Sequence, residues 1–215
     1  MARVIGLIGE SGSGKTTAMR NLDPATTFYI DCDKKGLSWK GWREQYSKEK
    51  DNYRALDDQG LVLQIFRILN TKDKYKHIKT IVVDTINGIM VADEMRRMKE
   101  KGYDKWQDLA IAVYDIIDTA LTMRDDLTII FVAHSQTERD DSGYMFTRMK
   151  TSGKKLDKIV LESKMTTVLF AESKDGEYIL HTRSDKSTAK TPMGAFDRDE
   201  IPNDMAEVLK VLEEY

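Results

Sequence analysis

The sequence predicts a three-layer α/β fold on a mainly parallel central sheet, closed by an antiparallel C-terminal hairpin. Three observations carry this reading. Short β-branched runs alternate with longer segments of helical periodicity, the first four runs are nearly continuous in apolar residues, and the last two are separated by one short polar turn. Alternating strands and helices place helices on both faces of a sheet. A run without polar alternation marks a strand covered on both sides.

In chain order, Val4 to Ile8 is the first strand and Thr27 to Ile30 the second, with a glycine-rich stretch between them and a helix predicted to open near Lys15. Residues 34–50 mix basic residues with Trp39, Trp42 and Tyr46. They predict a helix that lays its rings on the core or on a neighbouring subunit, with nucleic-acid contact as the alternative. Thr80 to Val83 is the third strand. Residues 87–101 and 106–123 repeat apolar positions every three to four residues and read as helices, Met90, Met95 and Met98 being a core or subunit-contact face. Thr128 to Ala133 is the fourth strand. Thr166 to Ala171 and Tyr178 to Thr182 flank a Lys-Asp-Gly turn and read as the hairpin. Residues 204–215 form a closing helix, N-capped by Asn203 or Asp204 after Pro202.

The whole chain, 1–215, is expected to be one domain: 215 residues with 40% hydrophobic content support one full core. Lys and Arg number 34 against 36 Asp and Glu, a net charge of −2, so global electrostatics selects no partner. The single cysteine, Cys32, excludes an internal disulfide and a cysteine-based zinc cluster. The apolar N-terminal run is too short for a signal sequence or a span, and the expectation is a cytoplasmic protein without a membrane partner.

Gly9-Glu10-Ser11-Gly12-Ser13-Gly14-Lys15-Thr16 fits G-x-x-x-x-G-K-[ST] in full and continues into Thr17. Its place after a strand and before a helix is the context that makes this motif a phosphate-binding loop. Backbone amides wrap the phosphates, Lys15 meets the β and γ oxygens, and the Thr16 hydroxyl joins a Mg²⁺ shell. Thr80-Ile81-Val82-Val83-Asp84 delivers a carboxylate at a strand end, where open α/β sheets bind ligands. Asp84 is therefore the second Mg²⁺ residue, and the cofactor is ATP with Mg²⁺. No Asn-Lys-x-Asp guanine reader and no Leu-Ser-Gly-Gly-Gln transporter signature occurs.

Three strand-end segments resemble the RecA family of ATPases. Tyr29-Ile30-Asp31-Cys32-Asp33 is similar to Phe-Ile-Asp-Ala-Glu, which implies Asp33 as the base that activates water. Thr80 to Thr85 is similar to Val-Ile-Val-Val-Asp-Ser. Ile129-Ile130-Phe131-Val132-Ala133-His134 is similar to Leu-Ile-Phe-Ile-Asn-Gln, which implies His134 as the γ-phosphate sensor. Asp33 is one methylene shorter than the family glutamate, and His134 replaces glutamine. Arg183 to Pro192 resembles Lys-Asn-Lys-Ile-Ala-Ala-Pro, which implies Lys186 and Lys190 as cations reaching a neighbour's γ-phosphate. The resemblance spans roughly residues 3–195, the core without the oligomerising helix and C-terminal domain of full RecA. In this it is similar to phage-encoded RecA-like ATP-binding proteins acting in single-strand annealing, which implies a bacterial host cell.

After His134 a polar, glycine-bearing stretch, residues 135–153, lies where the resemblance places a DNA-binding loop. From Tyr144 to Lys164, six basic residues (Arg148, Lys150, Lys154, Lys155, Lys158, Lys164) stand against two acidic ones (Asp157, Glu162). With Arg139 and the rings of Tyr144 and Phe146, these basic residues suit single-stranded DNA, whose phosphates attract cations and whose bases stack on aromatic faces; the alternative is a hairpin whose aromatics pack on the sheet and whose lysines are solvated. The expectation is an oligomeric ATPase that binds single-stranded DNA for recombination or annealing and hydrolyses ATP at subunit interfaces. The alternatives are a P-loop kinase of small molecules or nucleotides, and an ATP-switched assembly protein without DNA.

Overall fold

The computed structural model describes residues 1–100, 104–139, 142–151 and 160–215. β1 (Arg3–Gly9) leads into the glycine-rich loop, and β2 (Thr27–Asp31), a single helical turn α1 (Trp42–Gln45) and β3 (Tyr53–Ala55) follow. Next come α2 (Gln59–Thr71), β4 (Thr80–Asp84), α3 (Ile86–Arg96) and α4 (Asp104–Leu121). β5 (Thr128–Arg139) and β6 (Met145–Met149) form a ribbon. β7 (Thr167–Lys174), β8 (Glu177–His181), β9 (Glu200–Pro202) and α5 (Met205–Leu212) complete the chain.

The sheet runs in the order β3-β2-β4-β5-β1-β7-β8-β9, with β6 paired to β5. β1 to β5 and β7 run parallel where they pair with one another, and the β7–β8–β9 segment is antiparallel. The β7–β8 turn is only Asp175-Gly176, both with positive φ (52° and 86°), the twist that a two-residue hairpin requires.

Adjacent residues of each strand feed opposite layers. Ile8, Ile30, Val83 and Phe131 pack beneath α2, α3 and α4, whereas Leu7, Tyr29, Val82 and Ile130 pack against Met19, Tyr46 and α5. Because β1, β2, β4 and the first half of β5 are buried on both sides, their sequences show no polar alternation. In α2, Val62, Phe66 and Leu69 form the buried stripe, and the Phe66 ring sits 6.4 Å from that of Phe131. Asp58 starts this helix by accepting a bond from the Leu61 amide, and Asp204 caps α5 in the same manner through Ala206.

Two expected helices are shorter than their sequences suggest. The segment after Lys15 is a series of turns with one 3-10 turn at Thr17–Met19; Pro24 follows closely, and the chain must already enter β2 at Thr27. Within residues 34–50 only Trp42–Gln45 is helical, bounded by Gly36 and Gly41 in the left-handed region. Their rings nonetheless join the core, Tyr46 fully buried and Trp39 and Trp42 partly so. In α3, Met90 is buried whereas Met95 and Met98 are exposed. Of the two readings for the stretch after His134, loop and hairpin, the backbone follows the hairpin: the β5–β6 ribbon pairs Ser135 to Arg139 with Met149 to Met145. Residues 101–103, 140, 141 and 152–159 lie outside the described residues.

Candidate nucleotide-binding site

Parallel register brings the strand ends together at one edge of the sheet. Gly9 of β1 pairs with His134 of β5, and Asp31 of β2 pairs with Asp84 of β4. Because β5 lies between β1 and β4, His134 stands between the glycine-rich loop and Asp84. Ser11, Gly12, Gly14, Lys15, Thr16, Thr17, Lys35, Ser38, Thr85, His134 and Tyr178 line a cleft of about 230 Å³ here.

The loop geometry depends on its glycines. A Cβ on Gly9 would lie 2.5 Å from both the Ala171 carbonyl and the Ser13 hydroxyl. Gly14 has φ +87°, and a Cβ there would meet the Tyr178 ring at 2.6 Å. Lys15 is almost fully buried and folds back onto the loop, its Nζ donating to the carbonyls of Gly9 (2.9 Å) and Glu10 (2.5 Å). Burial lowers its pKa to about 8, against the opposing pull of Asp84. An ammonium held this way carries a charge that water does not fully solvate, and phosphate oxygens answer it. Thr17 Oγ1 lies 3.0 Å from Ser38 Oγ on the cleft wall.

Asp84, at the end of β4 and joined to Thr85 by a cis peptide, is buried, and burial raises its pKa. Its Oδ2 accepts from Thr16 Oγ1 at 2.7 Å and from the Tyr29 hydroxyl at 2.6 Å. Asp84 Oδ1 and Ser13 Oγ are buried without a hydrogen-bond partner. An orphaned carboxylate oxygen beside the Thr16 hydroxyl fits a Mg²⁺ that takes most of its ligands from phosphate and water. No cluster of three or more His, Cys, Asp or Glu side chains suited to a metal occurs among the described residues. Thr16 and Asp84 would hold the Mg²⁺. Bound there, it would neutralise charge on the β and γ phosphates.

Asp33 lies just beyond β2. Its Oδ1 accepts from Thr85 Oγ1 at 2.9 Å and its Oδ2 from Lys35 Nζ at 2.6 Å. Gly88 permits this approach, since a Cβ there would sit 2.8 Å from Asp33 Oδ1. The His134 side chain lines the cleft, and burial followed by the Lys15 charge lowers its pKa, leaving the ring neutral near pH 7. The His134 amide donates to Asn87 Oδ1 at 2.7 Å, while Asn87 Nδ2 donates to the Lys150 carbonyl at 2.8 Å. Asn87 thus ties α3 to the base of the β5–β6 ribbon.

The other expected site residues lie apart from this cleft. Lys190 is exposed and its backbone exchanges two bonds with Val168; with Arg183 and Thr191 it lines a separate cavity of about 470 Å³. The Lys186 carbonyl accepts from the Thr147 amide, and Thr188 bonds back to Thr147, so the basic segment is strapped to β6. On the ribbon, the Tyr144 and Phe146 rings are stacked with centroids 6.4 Å apart, and Tyr144 is 45% exposed. Arg148 is largely covered and ion-paired with Glu138 at 2.6 Å, so its charge is already answered. Arg139 flanks Gly143 and Lys150 is exposed; Lys154, Lys155 and Lys158 lie outside the described residues.

A glycine loop after a strand, a buried strand-end carboxylate with one unpartnered oxygen, and an intervening strand carrying His134 define a P-loop nucleoside triphosphatase. The chain matches the AAA domain family over residues 1–193 and belongs to it. It is a P-loop ATPase of AAA type, a class that works with ATP and Mg²⁺. No curated protein matches the chain. No helix among the described residues is long and apolar enough to cross a membrane.

Proposed function

We propose that this AAA-family ATPase follows the RecA-like core plan: a single domain that oligomerises, hydrolyses ATP at its subunit interfaces, and binds single-stranded DNA for annealing or recombination. One observation carries the reading. β5 holds His134 beside the phosphate loop and runs without interruption into the ribbon that presents Tyr144 and Phe146. A change in hydrogen bonding at the γ-phosphate therefore reaches the aromatic platform along β5 and across its pairing with β6. Stacked, partly exposed rings suit bases of any sequence, and exposed Lys150 supplies cationic charge at the base of the same ribbon. Lys15, Thr16 and Asp84 form the nucleotide site, Asp33 activates the attacking water and His134 senses the γ-phosphate. Lys186 and Lys190, remote from their own cleft, act on a neighbour's.

The test is ATP turnover at micromolar protein with and without single-stranded DNA, at two salt concentrations and beside Lys15→Ala. Stimulation lost in Lys15→Ala and weakened by salt supports the reading. Specific activity should also fall on dilution to nanomolar protein. Turnover indifferent to DNA at both salts would transfer the assignment to an assembly switch or a small-molecule kinase.

A further inference from the structure

We propose that the Tyr29 hydroxyl is a positioning group for Mg²⁺: by occupying Asp84 Oδ2 together with Thr16, it leaves Oδ1 as the oxygen that faces the metal's shell. The inference rests on reading Asp84 as a Mg²⁺ residue.

Tyr29 belongs to β2 and reaches Asp84 from the neighbouring strand, since Asp31 of β2 is the register partner of Asp84. The hydroxyl lies 2.6 Å from Oδ2, and Thr16 Oγ1 lies 2.7 Å from the same oxygen. Two donors thus converge on one carboxylate oxygen while the other, equally buried, has none. Such asymmetry fixes the rotation of the carboxylate about its Cβ–Cγ bond. A free carboxylate would turn to share the donors between its oxygens.

The ring is held firmly enough for this task. Tyr29 has no exposed surface, and Trp39, Tyr46 and Tyr53 surround it with centroids 6.4, 5.6 and 6.5 Å away. Tyr46 and Trp39 meet it edge-on, so the phenol is fixed in both position and tilt. The apolar part of this residue is explained by the core, but its hydroxyl is not: packing alone would be served by phenylalanine. Thr16 would be drawn into the Mg²⁺ shell when nucleotide binds, and Tyr29 is the donor that remains dedicated to orientation. Groups that orient a metal ligand in this way support metal affinity without touching the metal.

The experiment measures the dissociation constant of the fluorescent nucleotide mant-ADP in Mg²⁺ and in EDTA, and takes the ratio as the Mg²⁺ gain. Tyr29→Phe keeps the ring and should lower this gain about tenfold while leaving the EDTA value near wild type. Asp84→Asn alone should abolish the gain, and Tyr29→Phe added to it should change nothing further. If Tyr29→Phe melts at a lower temperature but keeps the full gain, the hydroxyl is structural and the proposal is overturned. If Asp84→Asn keeps the gain, the reading of Asp84 itself fails. If Tyr29→Phe does not fold, the same ratio is read on Tyr29→Met, which also removes the hydroxyl while a flexible apolar chain fills the space; a full gain in that variant overturns the proposal, and a gain lowered about tenfold supports it.

Discussion

Gly9 and His134 are register partners: the last residue of the strand that launches the phosphate loop lies beside the residue at which β5 leaves the central sheet. A group next to the loop can act on phosphate without a lid or domain closure. Being neutral near pH 7, the ring offers one N–H without adding a second fixed cation beside Lys15. His134→Ala should therefore lower kcat by about a hundredfold, the usual cost of one lost donor to a charged transition state, with little change in nucleotide affinity. Steady-state kinetics with a parallel binding titration checks this; equal losses in kcat and affinity would contradict it.

Lys15 makes nucleotide binding pH-dependent. Its pKa in the free protein is lowered to about 8, and triphosphate favours the charged form. Above about pH 8, binding must be accompanied by proton uptake, and affinity should fall by up to tenfold per pH unit. The stability linkage has the opposite sense: between the folded value near 8 and the unfolded value of 10.5 the unfolded chain holds the extra proton, so stability rises with pH across this window. Calorimetric titration at pH 8.5 in buffers of different ionisation enthalpy reads the proton uptake directly.

Asn87 serves His134 and Lys150 at once. Asn87→Ala leaves one amide and one carbonyl with no side-chain partner, at a cost of about 1–3 kcal/mol in stability. Stimulation of turnover by single-stranded DNA should fall by a larger factor than basal turnover, because the tie between α3 and the ribbon is cut. A loss confined to basal turnover would count against this coupling.

Gly14 is constrained twice, by φ +87° and by the Tyr178 ring 2.6 Å from its missing Cβ. Gly14→Ala should abolish detectable mant-ATP binding. Gly14→Ala with Tyr178→Ala should not restore it, because removing the ring clears the space but leaves the backbone strain. Recovery in the double variant would make Tyr178 the sole constraint.

The parts most legible in the sequence were those with a local cause. β1, β2, β4 and β5 announced themselves because burial on both faces removes polar alternation, and the glycine-rich loop because few backbones approach phosphate closely. α2 carries a readable signal in Asp58 followed by Val62, Phe66 and Leu69, although no motif residue lies within it. β3 and β9, each three residues long, hold their places only through β2 and β8, so nothing local marks them. The partners of Asp84 show the same limit. Thr16 belongs to a motif, whereas Tyr29 reads as an ordinary core aromatic until the β2–β4 register sets its hydroxyl against the carboxylate. Lys35, Ser38, Thr85 and Tyr178 reach the cleft through turns and strand pairing, and Asn87 reaches His134 from a different element.

The continuity of β5 gives the molecule a lever. Five residues beyond His134, at about 3.4 Å each, make an arm about 17 Å long, and a pivot of 5° at its base carries the far end through about 1.5 Å. The arm does not swing alone, for Thr147 on its paired strand is bonded to the segment that holds Lys186 and Thr188. A rotation of β5 about His134 would therefore move the aromatic platform and the lysine-bearing strap together. One strand thus borders the phosphate loop at one end and, at the other, a ribbon with two exposed features, an aromatic pair and a basic strap.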